Sequence, residues 1–180
     1  MTRSRVFAAM FLLAMEGNAQ RLVSYGTGID RYITDMVVWD GKIVFGGRQD
    51  ELFGVPVAHV SGWDGAQVYD FPGAFTVNIA PVSSLETLDG TLYAGGRDNT
   101  VGNVARWDGT AWQMMDQGMP DDVEDLCVYN GQLIAAGDAR VVCAWNGATW
   151  DTLGARFDQN IEELEVFNGQ LYAGGLSPRT

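Results

Sequence analysis

Four seven-residue stretches share one pattern of apolar and polar positions along the chain. Positions one, four and seven of each stretch are large and apolar, and position six is Val or Thr. Each stretch is followed by Asp-Gly or Asn-Gly, and then by a second apolar run that ends in Gly-Gly or Ala-Gly. Short apolar runs bounded by turn residues predict β-strands. The four stretches are ITDMVVW at 33–39, VSSLETL at 82–88, VEDLCVY at 123–129 and IEELEVF at 161–167.

The pattern continues into a second pair of runs after each of the first three stretches. These pairs are SGWDGAQVYDF at 61–71, ARWDGTAWQMM at 105–115 and CAWNGATWDTL at 143–153. One unit therefore predicts four short strands, here called strands a, b, c and d in chain order. Strand a ends at the first Asp/Asn-Gly, strand b at the Gly-Gly and strand c at the second Asp/Asn-Gly. Strand d carries Tyr69, Trp112 or Trp150.

Seven Asp-Gly or Asn-Gly pairs separate these runs. Such a pair between apolar runs is typical of a two-residue type I′ hairpin, in which both turn residues have positive φ. The sequence therefore predicts turn roles rather than catalytic roles for the aspartates Asp40, Asp64, Asp89 and Asp108. The pairs lie at 40–41, 64–65, 89–90, 108–109, 130–131, 146–147 and 168–169.

The units start at residues 33, 82, 123 and 161, so the spacings are 49, 41 and 38 residues. Four strands in about 40 to 50 residues is the period of a β-propeller blade. We therefore expect an all-β fold, a β-propeller of four-stranded antiparallel blades that stack to bury both faces. The aromatic residues at the strand ends are expected to pack between blades. The predicted blades are 33–71, 82–115 and 123–153, with a partial blade at 161–175, and the end residues are Trp39, Trp107, Tyr129, Trp145 and Phe167.

The first residues have the features of a secretory signal peptide. Arg3 and Arg5 precede the apolar run Val6–Met15, and a small-residue pattern ends at Ala19. A run of ten apolar residues is too short to span a bilayer. Residues 1–19 are thus expected to be removed during export, which places the protein in the periplasm, at the cell surface or outside the cell.

The remaining residues, 20–180, predict a partial propeller. Residues 21–25 take the position of a strand d, and the last unit has strands a and b only. A ring ordinarily needs four to eight blades. We interpret this chain as the N-terminal part of a larger ring, whose remaining blades are supplied by a longer chain or by a second chain.

The two cysteines are predicted to be free, buried thiols. Cys127 lies in strand a and Cys143 in strand c of one unit, with strand b between them. Two strand spacings are roughly 9.5 Å. A disulfide needs Cα atoms within about 7 Å.

The net charge and the residue content argue against several classes of function. The net charge is −12, from 11 basic and 23 acidic residues, which disfavours nucleic acid as a partner. No apolar run is long enough to span a membrane. The single histidine, His59, cannot supply most hydrolase triads or multi-histidine metal sites. We expect a non-enzymatic protein without a cofactor. The alternative is a glycan-active hydrolase or lyase whose catalytic residues lie largely outside this stretch.

The repeats resemble kelch-type propeller blades. The closer resemblance is to the repeats of the fungal cortical cell-polarity marker family and its exported bacterial relatives. The resemblance covers roughly residues 21–175 and implies a propeller fold, while it says little about activity because propellers host unrelated functions. The matching residues are Gly95, Gly96, Trp107, Asp108, Gly109 and Trp112 in one unit, Asn130, Gly131, Trp145, Asn146, Gly147 and Trp150 in the next, and Asn168, Gly169, Gly174 and Gly175 in the last.

The variable connections predict the binding surface. In a propeller, the loops between strands b and c and between strand d and the next strand a emerge on the same face. Variable polar loops on a rigid scaffold are where binding sites usually lie. We expect an exported binding or scaffold protein that uses this loop face to recognise a protein or glycan ligand. Its candidate residues are Arg48, Asp50, Glu51, Arg97, Asp98, Asn99, Asp121, Asp122, Asp138 and Arg140.

Position three of strand a suggests a second site, near the centre of the ring. It holds Asp35, Ser84, Asp125 and Glu163 in the four units. Carboxylates that converge would repel one another unless a cation lay between them, and oxygen-only ligands suit Ca²⁺ or Mg²⁺. The hypothesis is a metal site, with Ca²⁺ as the first candidate, at Asp35, Asp125 and Glu163.

Overall fold

The computed structural model describes residues 11–16, 19–24, 28–75 and 82–175. The fold is all-β over these residues, with several four-stranded antiparallel sheets. The described part contains no helix of the length and apolar character that crossing a membrane requires.

Two strands precede the repeated units. They are β1 (Phe11–Glu16) and β2 (Ala19–Ser24), which pair with each other in a separate antiparallel sheet. All of β1 lies within the predicted signal peptide, whose removal remains a prediction. β2 includes part of the predicted strand d at 21–25, whose last residue lies outside the described ranges.

Each complete unit forms one four-stranded sheet in the order a, b, c, d. The first unit contains β3 (Ile33–Trp39), β4 (Lys42–Gly47), β7 (Val60–Trp63) and β8 (Val68–Asp70), with β5 (Glu51–Leu52) and β6 (Val55–Pro56) in a small added hairpin. The second contains β9 (Val82–Leu88), β10 (Thr91–Gly96), β11 (Val104–Trp107) and β12 (Trp112–Met114). The third contains β13 (Val123–Tyr129), β14 (Gln132–Gly137), β15 (Val142–Trp145) and β16 (Trp150–Leu153). The fourth has β17 (Ile161–Phe167) and β18 (Gln170–Gly175).

A β-bulge explains the apolar pattern of strand a. In β9 the pairing passes from Val82↔Gly96 to Ser84↔Gly95, so Ser83 is the extra residue. An extra residue reverses the alternation of side chains beyond it. Positions one and four therefore point to the same flank of the sheet, and Val82 and Leu85 both pack in the cluster shared with the first unit. The other units have the same shift at position two.

The turns differ in part from the sequence prediction. The glycine of all seven pairs has positive φ, between 71° and 102°, as predicted. Only the four turns between strands a and b also have positive φ at the first residue, as type I′ requires; these are Asp40, Asp89, Asn130 and Asn168. The prediction of type I′ at the three turns between strands c and d is wrong, because four residues rather than two connect those strands.

The longer turns are closed by the first side chain instead. Asp108 Oδ1 accepts hydrogen bonds from the backbone N–H groups of Thr110 and Ala111, each at 2.8 Å. Asn146 Oδ1 does the same for Ala148 and Thr149. Asp and Asn are interchangeable here because both offer an acceptor oxygen. The backbone hydrogen bonds lower the pKa of Asp64 and of Asp108 to about 2.

Neighbouring sheets pack flank against flank through apolar clusters. Strands β3, β9, β13 and β17 contact one another in succession. Trp107 and Trp112 pack against Phe71 and Phe75 of the first unit, and Trp112 Nε1 donates to the Phe71 carbonyl at 2.9 Å. The predicted packing of strand-end aromatics between units is thus confirmed for Trp39, Trp107, Tyr129 and Trp145. Phe167 of the last unit is 61% exposed.

The long connection of the first unit covers part of its own sheet. Leu52 and Phe53, in and beside the β5–β6 hairpin, pack with Phe45 and Trp63, and Phe53 and Trp63 make an edge-on ring contact at 5.5 Å. Ile29 joins the same cluster. We call residues 48–57 the cap. The sequence analysis treated this extra length only as loop.

The cysteines are free, as predicted. Cys127 pairs with Ile134 in the sheet register and Cys143 pairs with Ala135, so the two side chains point to opposite flanks. Cys143 is buried, whereas Cys127 is only half-buried. Desolvation and nearby carboxylates raise the pKa of the Cys127 thiol to about 12.

Candidate functional site

The b–c and d–a connections lie side by side, as the sequence analysis expected of the loop face. The Met119 N–H donates to Gly102 O at 2.8 Å, and the Asp138 N–H donates to Asp122 O at 3.0 Å. The Phe157 N–H donates to Arg140 O at 2.8 Å. In each pair one residue belongs to a b–c loop and the other to a d–a loop, so the backbone itself fixes the loop face.

Three carboxylates of the loop face form one cluster. Carboxylate oxygens of Asp121, Asp122 and Asp138 lie within 4.8 Å of one another. We call these three residues the acidic cluster. Arg97 forms an ion pair with Asp122, and Asn160 Nδ2 donates to Asp138 Oδ1 at 2.6 Å. Four separate connections thus supply one polar site.

Burial and repulsion between carboxylates raise pKa values in and beside the acidic cluster. Partial burial and the charges of Asp122 and Asp121 raise the pKa of Asp138. Burial, followed by the charges of Asp138, Glu162 and Asp122, also raises the pKa of the neighbouring Glu124. Arg97 offsets only part of this repulsion, so the site favours an additional positive charge or hydrogen-bond donor.

The first unit contributes a separate part of the loop face. Asp50 pairs with Arg31 at 2.8 Å, and its backbone N–H and that of Glu51 donate to Asp30 Oδ1 at 2.9 and 3.0 Å. His59 is buried, with its Nε2 3.7 Å from Asp50 Oδ1. Asp50 and Glu51 therefore belong to the cap, apart from the acidic cluster.

Asp98 differs from the expectation of an exposed loop residue. It is 5% exposed, and its carboxylate accepts hydrogen bonds from the backbone N–H groups of Phe75 and Thr100. Asp98 thus lies buried at the junction of the first and second units, where it also shapes the b–c loop. The adjacent Asn99 is exposed. Arg140, in the b–c loop of the third unit, donates from Nη1 to Asp158 O at 3.4 Å.

Position three of strand a links one unit to the next. Asp35 Oδ2 accepts from the Leu85 N–H at 2.6 Å, and Asp125 Oδ2 accepts from the Leu164 N–H at 2.6 Å. Ser84 Oγ accepts from the Leu126 N–H at 3.2 Å and donates to Asp125 Oδ1 at 3.0 Å. The position-three side chains of the first three units therefore each accept from the N–H of position four in the following unit.

Backbone N–H groups thus occupy oxygens that the sequence analysis assigned to a cation. Burial raises the pKa of Asp125 despite these hydrogen bonds, and the charge of Glu163, which is exposed, contributes to the same rise. The calcium hypothesis for Asp35, Asp125 and Glu163 stays a prediction.

Sequence reasoning did not single out Asn160 or Glu124 as members of the loop-face site. Asn160 immediately precedes strand a of the last unit, in the same type of d–a connection that supplies Asp121 and Asp122. The unit alignment could have identified Asn160. Glu124 follows from the bulge, because it is the extra residue at position two of β13.

Comparison with known proteins adds support for the fold alone. No family model matches the chain, and no curated protein matches it. Among solved structures, the computationally designed protein Ika8 has a TM-score of 0.61 at 16% identity, over 87% of this chain and 47% of that one. The designed protein Ika4 has a TM-score of 0.57 at 15% identity, over 79% of this chain and 84% of that one. This chain thus spans about half the length of Ika8.

Proposed function

We propose that this chain is a non-enzymatic binding protein of the kelch-like β-propeller type, exported from the cell, whose loop face recognises a partner. The sheets would be its blades, with strand a innermost. The succession of contacts from β3 to β9, β13 and β17 supports this arrangement. The resemblance of the repeats to exported propeller families supports it independently.

The observation that carries the proposal is the acidic cluster. Its three carboxylates and Asn160 are displayed on connections that hydrogen-bond to one another. A polar constellation on a rigid scaffold loses little conformational entropy when a ligand binds. This preorganisation is what a recognition site requires.

The charge of the site indicates the chemistry of the partner. The cluster lies in a chain with a net charge of −12, and Arg97 neutralises only one of its carboxylates. Electrostatic complementarity favours a cationic protein segment. A glycan would instead use the same carboxylates and the Asn160 amide as hydrogen-bond partners for its hydroxyl groups.

Arrays of basic peptides and of glycans, probed with the fluorescently labelled chain at two salt concentrations, test the proposal. We expect binding to basic peptides that weakens as salt rises, because screening reduces exposed charge interactions. The double variant Asp121→Asn plus Asp138→Asn should lose most of this binding.

A matched control carries the same change in charge on the opposite edge of the sheets. Asp89→Asn plus Asp108→Asn fits this purpose, because Asn130 and Asn146 occupy the equivalent turn positions in the third unit. The proposal fails if the control reduces binding as much as the cluster variant does. Glycan binding without peptide binding would redirect the proposal to a glycan ligand.

A further inference from the structure

The chain forms one kind of interface between neighbouring sheets three times. The first and fourth sheets each expose one of the two surfaces that make up this interface. We call the flank of a sheet that faces the preceding unit its leading flank, and the opposite one its trailing flank. Three junctions bury a trailing flank against a leading flank. The leading flank of the first unit and the trailing flank of the fourth have no neighbouring sheet among the described residues.

The leading flank of the first unit exposes apolar residues along strand a. At position four, Leu85, Leu126 and Leu164 are 5%, 4% and 4% exposed. Their equivalent in the first unit, Met36, is 57% exposed, and Val38 two residues later is 73% exposed. Strand β3 thus presents the apolar pattern of a buried junction to the surface.

The trailing flank of the fourth unit is equally open. Phe167 and Tyr172 are 61% and 50% exposed. The equivalent residues in the third unit, Tyr129 and Ile134, pack against the fourth unit, and Ile134 is 1% exposed. Strands β17 and β18 therefore carry the apolar residues of a junction without its partner.

The two open flanks match in extent. The cap covers the outer part of the first leading flank, where Leu52 and Phe53 pack on Phe45 and Trp63. Only its inner strand, with Met36 and Val38, remains open. Within the described residues, the fourth unit likewise contains two inner strands, β17 and β18. The two-stranded sheet of the fourth unit thus matches the part of the first unit's leading flank that the cap leaves open.

We propose that two copies of this chain associate head to tail, with the trailing flank of the fourth unit of each copy on the leading flank of the first unit of the other. A two-fold axis then buries both pairs of flanks in one closed ring, the simplest symmetric solution. The occupant is a second copy because each flank is complementary to the other by the repeat itself. This association is independent of the loop-face function.

The hydrogen-bond pattern extends across the same contact. Each position-three side chain reaches the position-four N–H of the next unit, as Asp125 does for Leu164. Glu163 is the last of these side chains, and it is exposed. In the two-chain ring, Glu163 of one copy accepts from the Met36 N–H of the other.

Sedimentation equilibrium and light scattering across a concentration series test this inference. The expected species has twice the mass of a single chain. Val38→Glu on the leading flank or Phe167→Glu on the trailing flank should each weaken association at least about tenfold, because each buries an unpaired charge. Met114→Glu, on an outer strand and also half exposed, should leave association unchanged.

Mixing the two flank variants separates head-to-tail contact from other modes. An equimolar mixture of Val38→Glu and Phe167→Glu retains one intact pair of flanks, so it should form a mixed dimer that neither variant forms alone. Circular dichroism confirms that each variant is folded. A wild-type chain that stays monomeric at high concentration overturns the proposal, as does a mixture with no mixed dimer or dimerisation that survives both substitutions.

Discussion

Gly95 and Gly174 occupy the same position in two units, yet their surroundings differ completely. A Cβ atom at Gly95 would lie 2.6 Å from Val123 Cγ1 and 3.1 Å from Leu126 Cγ, both in the following unit. A Cβ atom at Gly174 would meet nothing within 4 Å. The backbone and sequence pattern of strand b are alike in both units. What differs is the presence of a neighbouring sheet.

The comparison shows that the sequence of each unit is adapted to a neighbour on both sides. Small residues in strand b allow the valine at position one and the leucine at position four of the next unit to approach. Gly46 repeats the arrangement, since its Cβ would lie 2.7 Å from Val82 Cγ1. Gly174 retains this adaptation on an open flank, which agrees with the head-to-tail inference.

The largest difference in unfolding free energy between a buried junction and an open flank is expected at position four of strand a. Leu126→Ala removes a side chain that is 4% exposed between two sheets and should lower the free energy of unfolding by about 2 to 5 kcal/mol. Met36→Ala, at an exposed position, should change it by less than about 0.5 kcal/mol. Urea unfolding of dilute protein measures both. Equal effects would contradict the distinction between internal and open flanks.

Gly95→Val and Gly174→Val test the close approach of the sheets. The first forces a side chain into a packed junction and should cost about 1 to 3 kcal/mol. The second should leave the unfolding of the dilute chain unchanged, while weakening the association of two copies. Thermal unfolding and sedimentation of the same samples read out the two effects. A destabilised Gly174→Val monomer would contradict the account.

Removing a hydrogen-bond acceptor should also destabilise a buried junction more than an open flank, with a smaller change in the free energy of unfolding. Asp125→Ala leaves the Leu164 N–H without its acceptor and should cost about 1 kcal/mol. Glu163→Ala, on the open flank, should have no measurable effect in dilute protein. The paired unfolding curves provide the check, and the reverse order of effects would contradict the pattern.

The smallest effect concerns the turns, which are independent of the neighbouring sheets. The pKa of Asp108 is lowered from 3.8 to about 2, so its ionised form stabilises the folded chain. This contribution is complete above its ordinary pKa and is lost as the pH falls through about 2. Asp108→Asn should therefore flatten the dependence of Tm on pH between about 4 and 2. An unchanged pH profile would mean that the turn does not depend on this charge.

Much of the fold could be predicted from the sequence, because the units repeat. Strands β3, β9, β13 and β17 begin and end where the apolar stretches do. Repetition reinforces a weak local signal, as four copies of one pattern exclude chance alternatives. Free cysteines followed from the same strand order.

Other features depend on spatial relations that local patterns do not contain. Asp64 and Asp108 precede glycine just as Asp40 does, yet they close longer turns. The role of the cap depends on which flank it folds over. The acceptor role of Asp35 and Asp125 requires knowing that the next strand presents a free N–H at position four.

Amide hydrogen exchange at position four tests the central claim most directly. The claim is that each sheet completes its neighbour, and that the leading flank of the first sheet has no neighbouring sheet among the described residues. The N–H groups of Leu85, Leu126 and Leu164 donate to the preceding unit. The Met36 N–H donates to its own Asp35 Oδ1 at 2.7 Å, and the Leu126 N–H also donates to its own Asp125 Oδ1 at 2.8 Å, so the difference at Leu126 is the added acceptor in the preceding unit. In dilute protein we expect strong protection of the three leucine amides and fast exchange at Met36. Raising the protein concentration should protect Met36 selectively. Equal protection of all four amides at every concentration would contradict the account.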